Sequence, residues 1–218
     1  MQVVKSDEKG LDAAAKVLLS GGVAVIPTDT VYGLAAHPSF PKAVDRLYAI
    51  KGREAKKPIA LLAADAESVE RFGYAIQGKA RELARFWPGA LTLVLPPSPS
   101  ANCHLQTTSS SEGFRVPAHD WTRSLLARCG GLLRVTSANL SGQRAATDAP
   151  AALADVGLSA DMVVDDGVSP GGVPSTVVRV SPTGGIEVLR PGALSSSRRR
   201  ASPGDLSPDA PSSASQQS

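Results

Sequence analysis

The chain has 218 residues, of which 42% are hydrophobic and 20% charged. That is the balance of a globular protein able to bury one sizeable core. The net charge is +3, a weak basic bias that permits nucleic-acid contact without arguing for it. The N-terminus lacks the apolar stretch of a signal peptide, and no run approaches the ~18–20 apolar residues of a membrane span. The expectation is a cytoplasmic protein without membrane contact.

Apolar residues at helical spacing predict a first helix over Leu11 to Leu19, ended by Ser20-Gly21-Gly22. Val23 to Ile26 is a continuous apolar run of strand length, and Pro27 stops it. Ala43, Val44, Leu47, Tyr48 and Ile50 predict a second helix after Pro41, and Ile59 to Ala63 a buried strand. Ala66 to Phe72 and Lys79 to Phe86 read as helical, Trp87-Pro88-Gly89 as a turn and Leu91 to Leu95 as a strand. Pro96 to Ser111 is rich in Pro, Ser and Thr, an irregular loop long enough to act as a lid. Phe114 to Val116 is a short strand, followed by a helix over Asp120 to Arg128 with Asp120 as its cap. Leu132 to Val135, Met162 to Val164, Thr176 to Val180 and Ile186 to Leu189 read as strands, and Ala149 to Val156 as a short helix. Strands and helices intermix without strict alternation. The expected fold class is therefore α/β: a single domain with a twisted, mixed sheet and helices packed on it. That domain covers residues 1–194. Residues 195–218 are Ser-, Pro- and Arg-rich with a single Leu, too few core formers to offset ordering entropy, so a disordered tail is expected. Arg198-Arg199-Arg200 reads as a solvated charge run.

Cys103 and Cys129 form no CxxC pair and read as free thiols of a reducing compartment. His37, His104 and His119 show no paired-ligand spacing, so no protein metal site is expected. There is no Walker loop, no GxGxxG after a strand and no GxSxG elbow. Six short motifs carry what chemistry remains: Pro27-Thr28-Asp29-Thr30-Val31-Tyr32-Gly33-Leu34, Lys51-Gly52-Arg53 with Lys57-Pro58, Phe114-Arg115-Val116-Pro117, Thr136-Ser137-Ala138-Asn139-Leu140-Ser141-Gly142, Pro174-Ser175-Thr176-Val177-Val178 and Leu189-Arg190-Pro191-Gly192. Most begin where an apolar run ends, and loops at strand ends are where α/β proteins bind ligands. Lys51, Arg53, Lys57, Arg115 and Arg190 could thus converge on one anionic ligand, Arg by bidentate contact and Lys as a point charge. Each motif alone has a plain structural reading: a helix end complemented by cations, an Asx turn, a strand start. No residue stands out as a general base. Asp29 is the nearest candidate, and an acid in a tight turn more often serves structure.

Taken in order, these motifs resemble the YrdC-type threonylcarbamoyl-AMP synthase family, over roughly residues 10–194. The resemblance implies a YrdC-like fold with a positively charged concave face. It implies a nucleotidyltransferase that condenses L-threonine, bicarbonate and ATP to threonylcarbamoyl-AMP and releases pyrophosphate. The product would serve threonylcarbamoyl-adenosine formation beside the tRNA anticodon, through a separate transferase complex. By the family's pattern Lys51 and Arg53 are catalytic, and Arg53, Lys57, Ser111, Ser137, Asn139 and Arg190 bind ATP. Thr30, Tyr32, Arg115, Val135 and Ser175 hold threonine, Arg115 through its carboxylate. Mg2+ arrives with ATP. Three positions depart from the pattern: Lys57 stands where longer relatives have Asn, Leu62 where they place a His, and Arg179 where an acid is expected. The synthase itself could make weak tRNA contact. Two other classes compete: a non-catalytic module binding double-stranded RNA or tRNA, and a maturation factor handling carbamoyl-adenylate. The low aromatic content, 4%, argues against the RNA module.

Overall fold

The computed structural model describes residues 1–54, 57–98, 110–181 and 183–194. The chain runs β1 (Gln2–Lys5), α1 (Glu8–Leu19), β2 (Val23–Ile26), β3 (Gly33–Ala36), α2 (Pro41–Lys51), β4 (Leu61–Ala63), α3 (Ala66–Arg71) and α4 (Gly78–Leu83). It continues with β5 (Leu91–Leu95), β6 (Glu112–Arg115), α5 (Asp120–Arg128), β7 (Leu132–Ser137), α6 (Ala149–Asp155), β8 (Met162–Asp165), β9 (Thr176–Val180) and β10 (Ile186–Arg190). All ten strands join one mixed, twisted sheet in the order β1-β8-β2-β3-β7-β4-β6-β5-β9-β10. β8 lies parallel to β1 and β2, while β7 runs antiparallel to β3 and β4. Strands far apart in sequence, such as β3 and β7 or β5 and β9, thus lie side by side, which brings the six motifs together.

Three apolar clusters hold the helices on the sheet. Leu11, Ala14 and Leu18 of α1 and Leu125 and Leu126 of α5 pack on Ala24, Ile26, Leu62 and Leu133. Ala43 and Leu47 of α2 and Ala149 and Ala152 of α6 pack on Val23, Val25, Leu34 and Ala36. Alternate residues of β2 therefore enter different clusters, so both faces are covered; this is why the strand reads as an unbroken apolar run. Val69, Ala80 and Leu83 of α3 and α4 pack on Leu61, Leu91, Leu93 and Phe114. Leu194 closes this third cluster: its backbone N–H and carbonyl both bond Thr176 Oγ1, at 3.1 and 2.9 Å.

The mixed α/β reading stands, with several local corrections. β1 and β3 were not expected. β4 begins at Leu61, not Ile59, because the carbonyls of Pro58, Ile59 and Ala60 are bonded outside any ladder between named strands. Asp120 does not cap α5. The cap is His119, whose Nδ1 accepts from the Thr122 N–H at 3.3 Å, while Asp120 pairs with Arg123 at 2.6 Å. Cys129 is buried, and burial pushes its thiol up to about 11. Cys103, His104, residues 99–109 of the expected lid and the 195–218 tail lie outside the described residues. Among the described residues no helix is long and apolar enough to cross a membrane.

Candidate functional site

A cleft of about 930 Å³ opens where β3, β7, β4, β6, β5, β9 and β10 meet the loops between them. One wall is the turn after β2. There Thr28 Oγ1 donates to the Val31 carbonyl at 2.6 Å and accepts from the N–H groups of Thr30 and Val31. This side-chain turn fixes Thr30 and lets Asp29 face Arg115. The Arg115 guanidinium is almost wholly buried and uses three of its N–H groups within the protein. Nε donates to the Gly89 carbonyl at 2.9 Å, Nη1 to Thr30 Oγ1 at 2.8 Å and Nη2 to Asp29 at 2.5 Å. Burial lowers its pKa, and the Asp29 carboxylate opposes that. Asp29 is thereby committed to Arg115 and does not line the cleft.

The facing wall is built by β9 and β10. Arg190 grips Ser175 three times, donating from Nε and Nη2 to the carbonyl at 3.3 and 2.9 Å and from Nη2 to Oγ at 3.2 Å. Gly192 makes the contact possible, since a Cβ there would stand 2.4 Å from the Pro174 carbonyl oxygen. The Arg190 guanidinium is pushed below its usual range by burial and then by the like charges of Arg53 and Arg115. Like charges held together are a physical mark of an anion site. Tyr32 lies beneath, fully buried, donating to the Gly167 carbonyl at 2.7 Å and accepting from the Asp166 N–H at 3.0 Å; burial raises its pKa to about 12.

The third wall holds Arg53, whose Nε and Nη2 brace the carbonyls of Lys57 and Pro58 at 3.1 and 3.2 Å. Of the expected site residues, Thr30, Tyr32, Arg53, Lys57, Ser111, Arg115, Val135, Ser137, Ser175 and Arg190 all line this one cleft. Lys51 and Asn139 do not. Gly52 caps α2 in the left-handed conformation, φ 59°, and the chain turns between the two cations. Arg53 then faces the cleft, while Lys51 is buried behind the β7 end. Its Nζ donates to the carbonyls of Ser137 at 2.5 Å and Asn139 at 2.8 Å, and to Asn139 Oδ1 at 3.2 Å. Burial, then the charge of Arg53, pushes that ammonium down to about 8. Asn139 spends its amide on the carbonyls of Leu140 and Gln143, both at 2.8 Å. These two residues shape the loop behind Ser137 and are not among the residues that line the cleft.

Among the cleft residues that the motif reading passed over, three are polar groups on the sheet strands. Arg134 and Glu112 form a buried, two-pronged ion pair at 2.6 and 2.9 Å, and Arg134 also holds the Ile59 carbonyl at 2.7 Å. A charge in the middle of Leu132-Leu133-Arg134-Val135 was the available signal, since a buried cation needs a partner. Thr92 is the third. Arg179 lines the cleft where an acid was expected, and its charge is met by Glu187 across the β9–β10 hairpin at 3.2 Å.

Comparison with known proteins gives a consistent result. The Sua5/YciO/YrdC family model, described as "Telomere recombination", matches residues 16–192. A Mycobacterium leprae protein is 36% identical over 191 residues, covering 87% of this chain and 86% of its own. The Bacillus subtilis threonylcarbamoyl-AMP synthase is 34% identical, over 88% of this chain and 56% of its own. The structure of Pyrococcus abyssi Sua5 complexed with L-threonine superposes with a TM-score of 0.77 at 33% identity, over 88% of this chain and 57% of that one.

Proposed function

Because the chain belongs to the Sua5/YciO/YrdC family, we propose that it condenses L-threonine, bicarbonate and ATP to threonylcarbamoyl-AMP with release of pyrophosphate. One observation carries the reading. Arg53, Arg115 and Arg190 crowd a single cleft together with the hydroxyls of Thr30, Ser137 and Ser175. Threonine brings a carboxylate and ATP a triphosphate. Two anions that must react need opposing charge to hold them side by side.

The chemistry divides along the cleft. The threonine amine attacks the bicarbonate carbon and water is lost, leaving a carbamate; a carbamate oxygen then attacks the α-phosphorus as pyrophosphate leaves. Arg115, braced by Asp29, presents the rest of its guanidinium to the threonine carboxylate, with Thr30 and Ser175 beside it. Arg53, Lys57, Ser111, Ser137 and Arg190 take the nucleotide, Arg53 and Arg190 meeting charge on the phosphates. Mg2+ accompanies the triphosphate. The carboxylate lining the cleft, Glu112, is bound to Arg134, so phosphate oxygens and water are the better ligands for the ion. The product would be passed to a separate transferase acting on tRNA.

The test is pyrophosphate release with ATP and Mg2+, omitting threonine or bicarbonate in turn. Dependence on both supports the synthase. Release driven by carbamoyl phosphate in place of threonine indicates a carbamoyl-adenylate factor, and no release with tight RNA binding indicates an RNA module.

A further inference from the structure

Thr92 sits on β5, buried, with its side chain among those lining the cleft. Its Oγ1 lies 2.8 Å from Ser175 Oγ and has no other hydrogen-bond partner among the described residues. Ser175 Oγ also accepts from Arg190 Nη2 at 3.2 Å, and its backbone carbonyl accepts from Arg190 Nε and Nη2 at 3.3 and 2.9 Å. β5 and β9 are parallel neighbours, and the Thr176 N–H bonds the Ala90 carbonyl at 3.0 Å, so the two hydroxyls are held in register by the sheet itself.

A hydroxyl has one proton and two lone pairs. If Ser175 donated to Thr92, no atom among the described residues would accept the Thr92 proton, which would turn to the cleft in place of the Ser175 proton. If Thr92 donates, its proton is satisfied. Ser175 then accepts twice, from Thr92 and from a charged guanidinium, and its own proton is left for the cleft. Two donors on one oxygen polarise the remaining O–H and strengthen it as a donor.

We propose that Thr92 is a positioning residue for the amino-acid end of the cleft. By donating to Ser175 it aims the Ser175 hydroxyl proton at an acceptor oxygen of the bound amino acid. The same oxygen touches Arg190, so Thr92 also keeps the amino-acid and phosphate ends in fixed relation. This rests on the reading of the cleft as a threonine site. Among the described residues Thr92 has no other hydrogen bond to lose, so its effect should pass through Ser175 alone.

The experiment is calorimetry with L-threonine on the wild type, Thr92→Ser, Thr92→Val, Ser175→Ala and the Thr92→Val/Ser175→Ala double variant. Steady-state pyrophosphate release is measured in parallel. Thr92→Val should weaken threonine about tenfold and raise the KM for threonine by the same factor, the scale of one buried hydrogen bond, with the KM for ATP changed less than about twofold. Thr92→Ser should restore wild-type affinity. The double variant should bind no more weakly than Ser175→Ala, because the two residues act as one unit. Additive losses overturn the proposal and place Thr92 in direct contact with ligand. Unchanged affinity in Thr92→Val overturns it outright, and loss in Thr92→Ser as well reassigns Thr92 to packing. A wild type that binds no threonine overturns the functional reading itself, and this proposal with it.

Discussion

Replacing Lys51 with Met keeps the length and apolar stem of the side chain and deletes only the ammonium. In the folded protein that ammonium makes two short contacts, to the carbonyls of Ser137 at 2.5 Å and Asn139 at 2.8 Å, and two longer ones. A hydrogen bond from a charged donor is worth roughly 1.5–3 kcal/mol, so losing the two short ones removes on the order of 3–6 kcal/mol. Against this, burial holds the ammonium at about 8 instead of its ordinary 10.5. Relief of that penalty returns roughly 3 kcal/mol at neutral pH. The difference is a net loss of about 0–3 kcal/mol, centred near 1.5, or roughly 3–6 °C in melting temperature for a chain of this size. The pH dependence has a definite sign. The folded pKa lies below the unfolded one, so between about pH 8 and 10.5 the unfolded chain holds the extra proton and stability from this group rises with pH. The raised Tyr32 and Cys129 act in the opposite direction over overlapping pH, and both proteins share them. The gap between wild type and Lys51→Met should therefore widen from pH 8 upward, by up to roughly 3 kcal/mol. Urea denaturation of both proteins from pH 7 to 10 reads it. A variant that melts with the wild type, keeps a constant gap and yet loses pyrophosphate release refutes the reasoning and puts the ammonium on the substrate.

Arg53→Ala should lower threonine-dependent pyrophosphate release by roughly 10²–10³-fold with little change in melting, since the side chain reaches the cleft and braces only two loop carbonyls; activity within about threefold of wild type would remove it from the phosphate site. Glu112→Gln should destabilise by about 3 kcal/mol in urea, because it leaves the Arg134 guanidinium buried and uncompensated, and a smaller effect than about 1 kcal/mol means the pair is solvated. Truncation after Leu194 should leave melting and activity unchanged, whereas truncation after Gly192 should lower stability by about 2–3 kcal/mol through the lost burial of Leu194; equal melting of the two truncations contradicts this. Arg115→Lys should abolish most threonine affinity in calorimetry and alter ATP affinity little, because one ammonium cannot serve Gly89, Thr30 and Asp29 and still present a fork; equal losses for both ligands place Arg115 in the scaffold or the phosphate site.

The parts of this molecule legible in the sequence were those set by local chemistry. β2 and β5 were readable as apolar runs, and α1 and α2 by helical spacing and by the glycines that end them. β1 was not, because a short, exposed edge strand has little pattern of its own and is fixed by β8, some 160 residues away along the chain. β3 was missed because only its first half, Gly33 and Leu34, falls in the motif that follows β2, and four residues carry little pattern. The same division runs through the site. Sequence order suggested that Lys51 and Arg53 act together, since they are two residues apart and both cationic. Nothing local says which way each points once Gly52 turns the chain. That is decided by acceptors from elsewhere: for Lys51 the β7 end carbonyls, and for Arg53 the carbonyls of Lys57 and Pro58. One cation is used in bonding the Ser137 and Asn139 carbonyls, while the other lines the cleft. A motif of two cations therefore need not supply two phosphate contacts. In this fold one of its charges sits behind the cleft wall, where it bonds the backbone of Ser137.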